Sequence, residues 1–188
     1  MKKHIILLLL IFIGLLINAC KKNKADTREE FTTPFSKQNT DDEMSKKIKT
    51  FLTTKFLTAA DVRAIDNNQR KFQFYKVDLN NDGKEEIFIK LMTSYFCGSD
   101  GCTLLLLDNN LNLINRFSPT QTFYIDENIE NDWNILITKT EGNWRKLVYK
   151  SGAYPSNPTL VEKINEKQRK NGQIIFDKKN NKAKTYTF

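Results

Sequence analysis

The spacing of apolar residues changes several times along the chain. From Ile5 to Ile17 they run almost unbroken, whereas residues 21–39, KKNKADTREEFTTPFSKQN, are polar with no sustained period. Order returns with Met44, Ile48, Phe51, Leu52 and Phe56, whose three- and four-residue intervals predict a helix over 41–56 packed by that stripe. Thr40 to Glu43 reads as its capping box. Thr58 is placed to cap a second, short helical turn over 59–65.

From Lys71 the pattern becomes that of strands punctuated by Asn, Asp and Gly, as in an antiparallel meander. Strands are expected near 71–77, 86–94, 102–107, 111–117, 133–140 and 143–150. Leu104 to Leu107 lacks polar alternation, which predicts a central strand covered on both faces. DNN at 108–110 and EGN at 141–143 suit tight hairpins. Pro155 and Pro158 stiffen an irregular corner, after which Asn157 caps a helix with Leu160, Val161 and Ile164 on one face and Gly172 past its end. Two short strands near 173–177 and 184–188 complete the reading. The fold class is α+β: a twisted antiparallel β-sheet meander with an N-terminal helix and a short C-terminal helix.

The apolar run has a function of its own. Lys2 and Lys3 precede it and Asn18-Ala19-Cys20 ends it, the layout of a removable export signal. Ile17-Asn18-Ala19-Cys20 resembles the lipobox of bacterial lipoproteins, with Asn18 where a small or hydroxyl residue is usual. That resemblance implies cleavage before Cys20 and acylation of its thiol. Two or three acyl chains anchor firmly, at about 0.8 kcal/mol per buried methylene. Lys21, where an inner-membrane lipoprotein has Asp, favours an outer-membrane destination facing the periplasm. The expected organisation is a signal peptide over 1–19, acylated Cys20 and a flexible tether over 20–39, and one globular domain over 40–188.

Charge then narrows the partners. Without Lys2 and Lys3 the chain holds 28 basic and 22 acidic residues, a net +6. Basic residues crowd the end, with Lys146, Lys150, Lys163, Lys167, Arg169, Lys170, Lys178, Lys179, Lys182 and Lys184. On an exported protein such a tail points away from nucleic acid and toward anionic headgroups, lipopolysaccharide or an acidic protein, or is a solvated surface.

One loop has the pattern of a cation site. In DLNNDGKEE, Asp78, Asn80, Asp82 and Glu86 fall at relative positions one, three, five and nine, Gly83 permits the turn, and the Lys84 carbonyl would serve position seven. The loop resembles those of EF-hands and, since it joins two expected strands, more closely those of integrin-type propeller repeats. The resemblance implies one structural Ca2+ of modest affinity; Ile89, where an EF-hand has its bidentate Glu, argues against a calcium switch. The alternative is a metal-free hairpin in which the same side chains bond backbone amides.

With Cys20 committed to lipid, Cys97 and Cys102 are left for each other, and an oxidising compartment favours their disulfide. The only histidine, His4, lies in the signal, so Ser-His, Cys-His and His-zinc chemistry are excluded from the mature chain. An enzyme would depend on carboxylates such as Asp100, Asp108, Asp126, Glu127, Glu130 and Asp132. Trp133, Trp144, Tyr149 and Tyr154 are read as core, or, if exposed, as a platform for glycan or protein.

The Asp-rich loop, YFCGSDGCTLLLL over 95–107 and YPSNP over 154–158 together resemble a set of uncharacterised small exported proteobacterial proteins; the resemblance implies no functional residue. The expected function is a non-enzymatic envelope binding or accessory module, lipid-anchored, with an envelope protein or glycan as partner. Its alternatives are an inhibitor or immunity lipoprotein against a toxic envelope hydrolase, and a carboxylate-dependent glycan hydrolase.

Overall fold

A computed structural model describes residues 39–120, 123–165, 172–176 and 183–188. The chain opens with helix α1, Asp42–Phe51, continued by one π-helical turn over Leu52–Phe56. Its cap is Asp41, one residue beyond the expected Thr40. The Asp41 carboxylate accepts from Met44 N at 2.9 Å and takes Lys76 Nζ at 3.0 Å. A carboxylate can do both, and so ties the helix start to the first strand; a threonine hydroxyl could not pair with the lysine. Helix α2, Ala59–Ala64, has the expected Thr58 cap, closed reciprocally by Asp61.

Eleven strands follow among the described residues: β1 Lys71–Val77, β2 Glu86–Leu91, β3 Cys97–Gly98, β4 Gly101–Leu107, β5 Leu113–Thr120, β6 Phe123–Glu130, β7 Trp133–Thr140, β8 Asn143–Leu147, β9 Lys163–Ile164, β10 Gly172–Ile175 and β11 Tyr186–Thr187. All pair antiparallel, but in two sheets. The first runs β11-β1-β2-β4-β3, with β5 also on β4; the second runs β10-β6-β7-β8-β9. The fold is α+β, as the sequence predicts.

Strand β4 explains the layering. Leu105 and Leu107 join Ile48, Leu52, Phe72, Phe74 and Ile89 in a core beneath the helices. Leu104 and Leu106 join Phe88, Phe117, Phe123, Leu136 and Leu147 in a second core between the sheets. All four leucines are fully buried, each contributing roughly 2 kcal/mol over an exposed position. The first sheet is therefore a middle layer, which is what the unbroken leucine run requires.

Two expectations change. Strand β6 has no counterpart in the predicted strands, because a register shift between Ile125 and Ile129 breaks its alternation and acids crowd the gap. The short C-terminal helix is a single 3-10 turn, Pro158–Leu160, with Asn157 as cap. The chain beyond it is held by β8: Trp144 pairs with Ile164, Arg145 with Lys163, and Arg145 Nη1 donates to Val161 O at 2.9 Å. Leu160 is left 81% exposed.

The YPSNP corner covers the open edge of β5. Asn115 Nδ2 donates to Tyr154 O at 2.6 Å, Tyr154 N donates to Asn115 Oδ1 at 2.8 Å, and Ser118 N donates to Ser156 O at 2.9 Å. Tyr154 Oη donates to Asn134 O at 2.6 Å, and Asn134 N donates to Leu79 O at 2.7 Å, so the corner also ties the second sheet to the Asp-rich loop.

Candidate functional site

The Asp-rich loop joins β1 to β2 and closes on itself. Asp78 Oδ1 accepts from Asn80 N and Asp82 N, both at 3.3 Å, and Oδ2 accepts from Gly83 N at 2.9 Å. Asn80 Oδ1 accepts from Asp82 N at 3.1 Å, and Asp82 Oδ1 from Lys84 N at 2.8 Å. Gly83 takes φ +81°, where a side chain would be strained. Glu86, only 4% exposed, accepts from the buried Leu79 N at 2.8 Å. Burial pushes its carboxyl up to about 7, and the charges of Asp82 and Asp78 push the same way. Among the described residues no three His, Cys, Asp or Glu groups converge closely enough to hold a metal ion. The amides of Leu79, Asn80, Asp82, Gly83 and Lys84 are held by the loop's own side-chain oxygens.

The second connection of that sheet is built differently. Cys97 of β3 and Cys102 of β4 lie opposite each other and form a disulfide, with Cα atoms 3.9 Å apart. Gly98 pairs with Gly101, whose φ of +121° closes the turn around Ser99 and Asp100. The covalent bond holds the turn, so its side chains are not needed to do so. Asp100 makes no hydrogen bond or ion pair with another described residue.

Asp100 instead forms one wall of a cleft of about 420 Å3. The opposite wall comes from the β7–β8 hairpin and its neighbour β6: Lys139, Thr140, Glu141, Gly142, Trp144 and Tyr124. Glu141 and Gly142, at φ +50° and +75°, make the two-residue turn expected at EGN. Trp144 meets Tyr124 edge to face at 5.2 Å between centroids, and Lys139 Nζ lies 5.3 Å over the Trp144 ring. Behind the turn, Arg145 is buried, with its guanidinium 3.8 Å from the Glu141 carboxylate.

The cleft gathers few of the residues singled out by sequence. Of the candidate carboxylates only Asp100 lines it. Asp108 accepts from Asn110 N and Asn112 N, both at 2.8 Å, and holds its own turn. Asp126 is buried and accepts from Asn128 N at 2.8 Å, while Glu130 pairs with Lys146 at 2.7 Å. Of the four aromatics, Trp133 stacks on Tyr149 at 4.0 Å and both pack against Tyr154 at the inter-sheet core. Only Trp144 reaches the cleft. Tyr124 has no sequence signal of its own and Glu141 only that of a tight hairpin; the β6–β7 register and the β7–β8 turn bring them to the cleft.

Cys20, its tether as far as residue 38 and Lys167, Arg169, Lys170, Lys178, Lys179 and Lys182 lie outside the described residues. No helix among the described residues is long and apolar enough to cross a membrane. Comparison of the chain with protein-family models, with curated proteins and with solved structures finds no match.

Proposed function

We propose that this chain is a lipoprotein of the cell envelope, anchored through acylated Cys20, whose folded part is a non-enzymatic binding module that works through the Asp100–Trp144 cleft. The observation that carries the reading is the division of labour at the hairpin. A disulfide fixes the backbone, and the carboxylate at its tip faces a cleft with no partner of its own. Polar groups held rigidly at a concave surface are what binding sites use for orientation and specificity. The export signal and lipobox support the envelope location, and Lys21 supports an outer-membrane destination facing the periplasm.

The test is site-specific photocrosslinking in the native envelope, with the photoreactive residue at Ser99 beside the cleft. One recovered adduct absent from a control labelled at exposed Lys47 supports the module; no adduct at Ser99 contradicts it.

Calcium belongs to the same proposal as a structural ion of the Asp-rich loop. Its support is charge: Asp78, Asp82 and the buried Glu86 stand on one short loop, and a divalent cation would offset their repulsion. Binding there requires the oxygens now engaged by amides to turn inward together. Differential scanning with and without millimolar calcium tests it.

A second reading, carboxylate-dependent glycan hydrolysis, is favoured by one observation: Asp100 and Glu141 line the same cleft. Release of new reducing ends from envelope glycan, abolished in Asp100→Asn, would establish it. Intact glycan after prolonged incubation would leave binding alone.

A further inference from the structure

The cleft's chemistry narrows the ligand. We infer that it binds a neutral saccharide, seated on Trp144 and hydrogen-bonded by Asp100 and Glu141; this rests on the binding-module reading above and names its ligand class.

The first observation is the Trp144 ring. Trp144 lines the cleft, and an exposed lysine, Lys139, lies over its ring, which thus already takes an electropositive group there. The polarised C–H bonds of a pyranose are such a group, and a sugar ring can take the ammonium's position while Lys139 swings into solvent. Tyr124 holds the indole from the side by its edge-to-face contact, so the platform is fixed before any ligand arrives.

The second observation is the pair of carboxylates. Asp100 on one wall and Glu141 on the other are acceptors, and each can take two hydroxyl donors. Thr140 and the Gly142 backbone add neutral polar groups between them. A ligand that meets an aromatic face, two acceptor walls and a hydroxyl in one small volume must alternate apolar and donor surfaces, and a sugar ring does. Among the described residues the charges of Asp100 and Glu141 are balanced by Lys139 and by Arg145 behind the turn, which suits an uncharged sugar over a phosphorylated or strongly acidic one. The volume, about 420 Å3, suits a short stretch of oligosaccharide rather than a long chain.

The third observation is the role this gives the disulfide. Cys97 and Cys102 lie three residues before and two residues after Asp100, and their disulfide closes the turn that carries it. Asp100 is thus a binding residue and the disulfide a positioning device. Reduction should loosen binding before it unfolds the domain, since the two cores lie elsewhere.

The full-length lipoprotein in detergent micelles is titrated with an N-acetylglucosamine trimer and, separately, with a neutral hexose oligosaccharide from the outer core of lipopolysaccharide, free of phosphate and sugar acid. The readout is tryptophan emission, with Trp133→Phe leaving Trp144 as sole reporter; its fold is checked by circular dichroism. A saturable change with either probe, weakened at least tenfold in Asp100→Ala at unchanged melting temperature, supports the inference, and the responding probe identifies the source. No response to either probe overturns the saccharide. If Ser99 photocrosslinking then still captures an envelope protein, the binding module stands with a peptide ligand; if it captures nothing, both fail. Binding unaffected by Asp100→Ala places the saccharide elsewhere and overturns the cleft.

Discussion

Two turns of the first sheet, only a few residues long, solve the same problem in opposite ways. The loop between β1 and β2 must hold a run of backbone amides that no strand partner satisfies, and it spends Asp78, Asn80, Asp82 and Glu86 on them. The hairpin between β3 and β4 is closed by a disulfide and spends no carboxylate at all. A turn whose acidic groups face its own backbone is a structural element. A turn locked covalently is free to present its tip side chain, and here that side chain lines a cleft. An equal richness in Asp and Gly therefore means different things at the two places.

The contrast makes ordered predictions. The largest effect is expected from Asp78→Ala, which strips the acceptor from Asn80 N and Gly83 N and leaves Asp82 N only Asn80 Oδ1; chemical denaturation should show a loss of about 2 to 3 kcal/mol. Replacing both Cys97 and Cys102 by Ala should cost about 2 kcal/mol on the loop-entropy estimate, since the ring is small. The same variant should weaken saccharide binding, which Asp78→Ala should not.

The buried Glu86 gives a pH dependence. Its folded carboxyl, raised from 4.5 to about 7, holds a proton more tightly than the unfolded chain does. The folded state thus binds more protons between those values, and stability is greatest below the window and falls as pH rises through it. In calcium-free buffer, denaturation at pH 7.5 against pH 5 should show a loss of about 2 kcal/mol from this group. Glu86→Gln keeps an acceptor for Leu79 N and should flatten the slope. A smaller effect is expected from calcium: several millimolar should stabilise by about 1 to 2 kcal/mol if affinity is that of weak extracellular sites. An unchanged melting temperature would leave the loop metal-free.

The sequence made some of this legible and hid the rest for identifiable reasons. Strands β1 and β7 fall on the expected residues because turn residues bound their runs of apolar, aromatic and β-branched side chains, and Leu104–Leu107 foretold a layer covered on both sides. The Cys97–Cys102 pairing followed from counting thiols. Two sheets were not legible, because the register shift in β6 conceals the strand that begins the second one. The cleft was not legible either. Asp100 and Trp144 are 44 residues apart, and only the packing of two hairpin tips from different sheets brings them to one opening. Periodicity reports which face a side chain takes within its own strand; it carries no information about which turns meet at the ends.

The most direct test compares two single substitutions in one experiment, measuring saccharide affinity and melting temperature for Asp100→Ala and Asp78→Ala together. A structural loop and a presenting hairpin predict a crossed result: Asp100→Ala loses affinity at least tenfold and melts like the parent chain, and Asp78→Ala melts lower and binds normally below its transition. If Asp100→Ala binds with the parent's affinity, or lowers the melting temperature as much as Asp78→Ala does, the hairpin is only another structural turn.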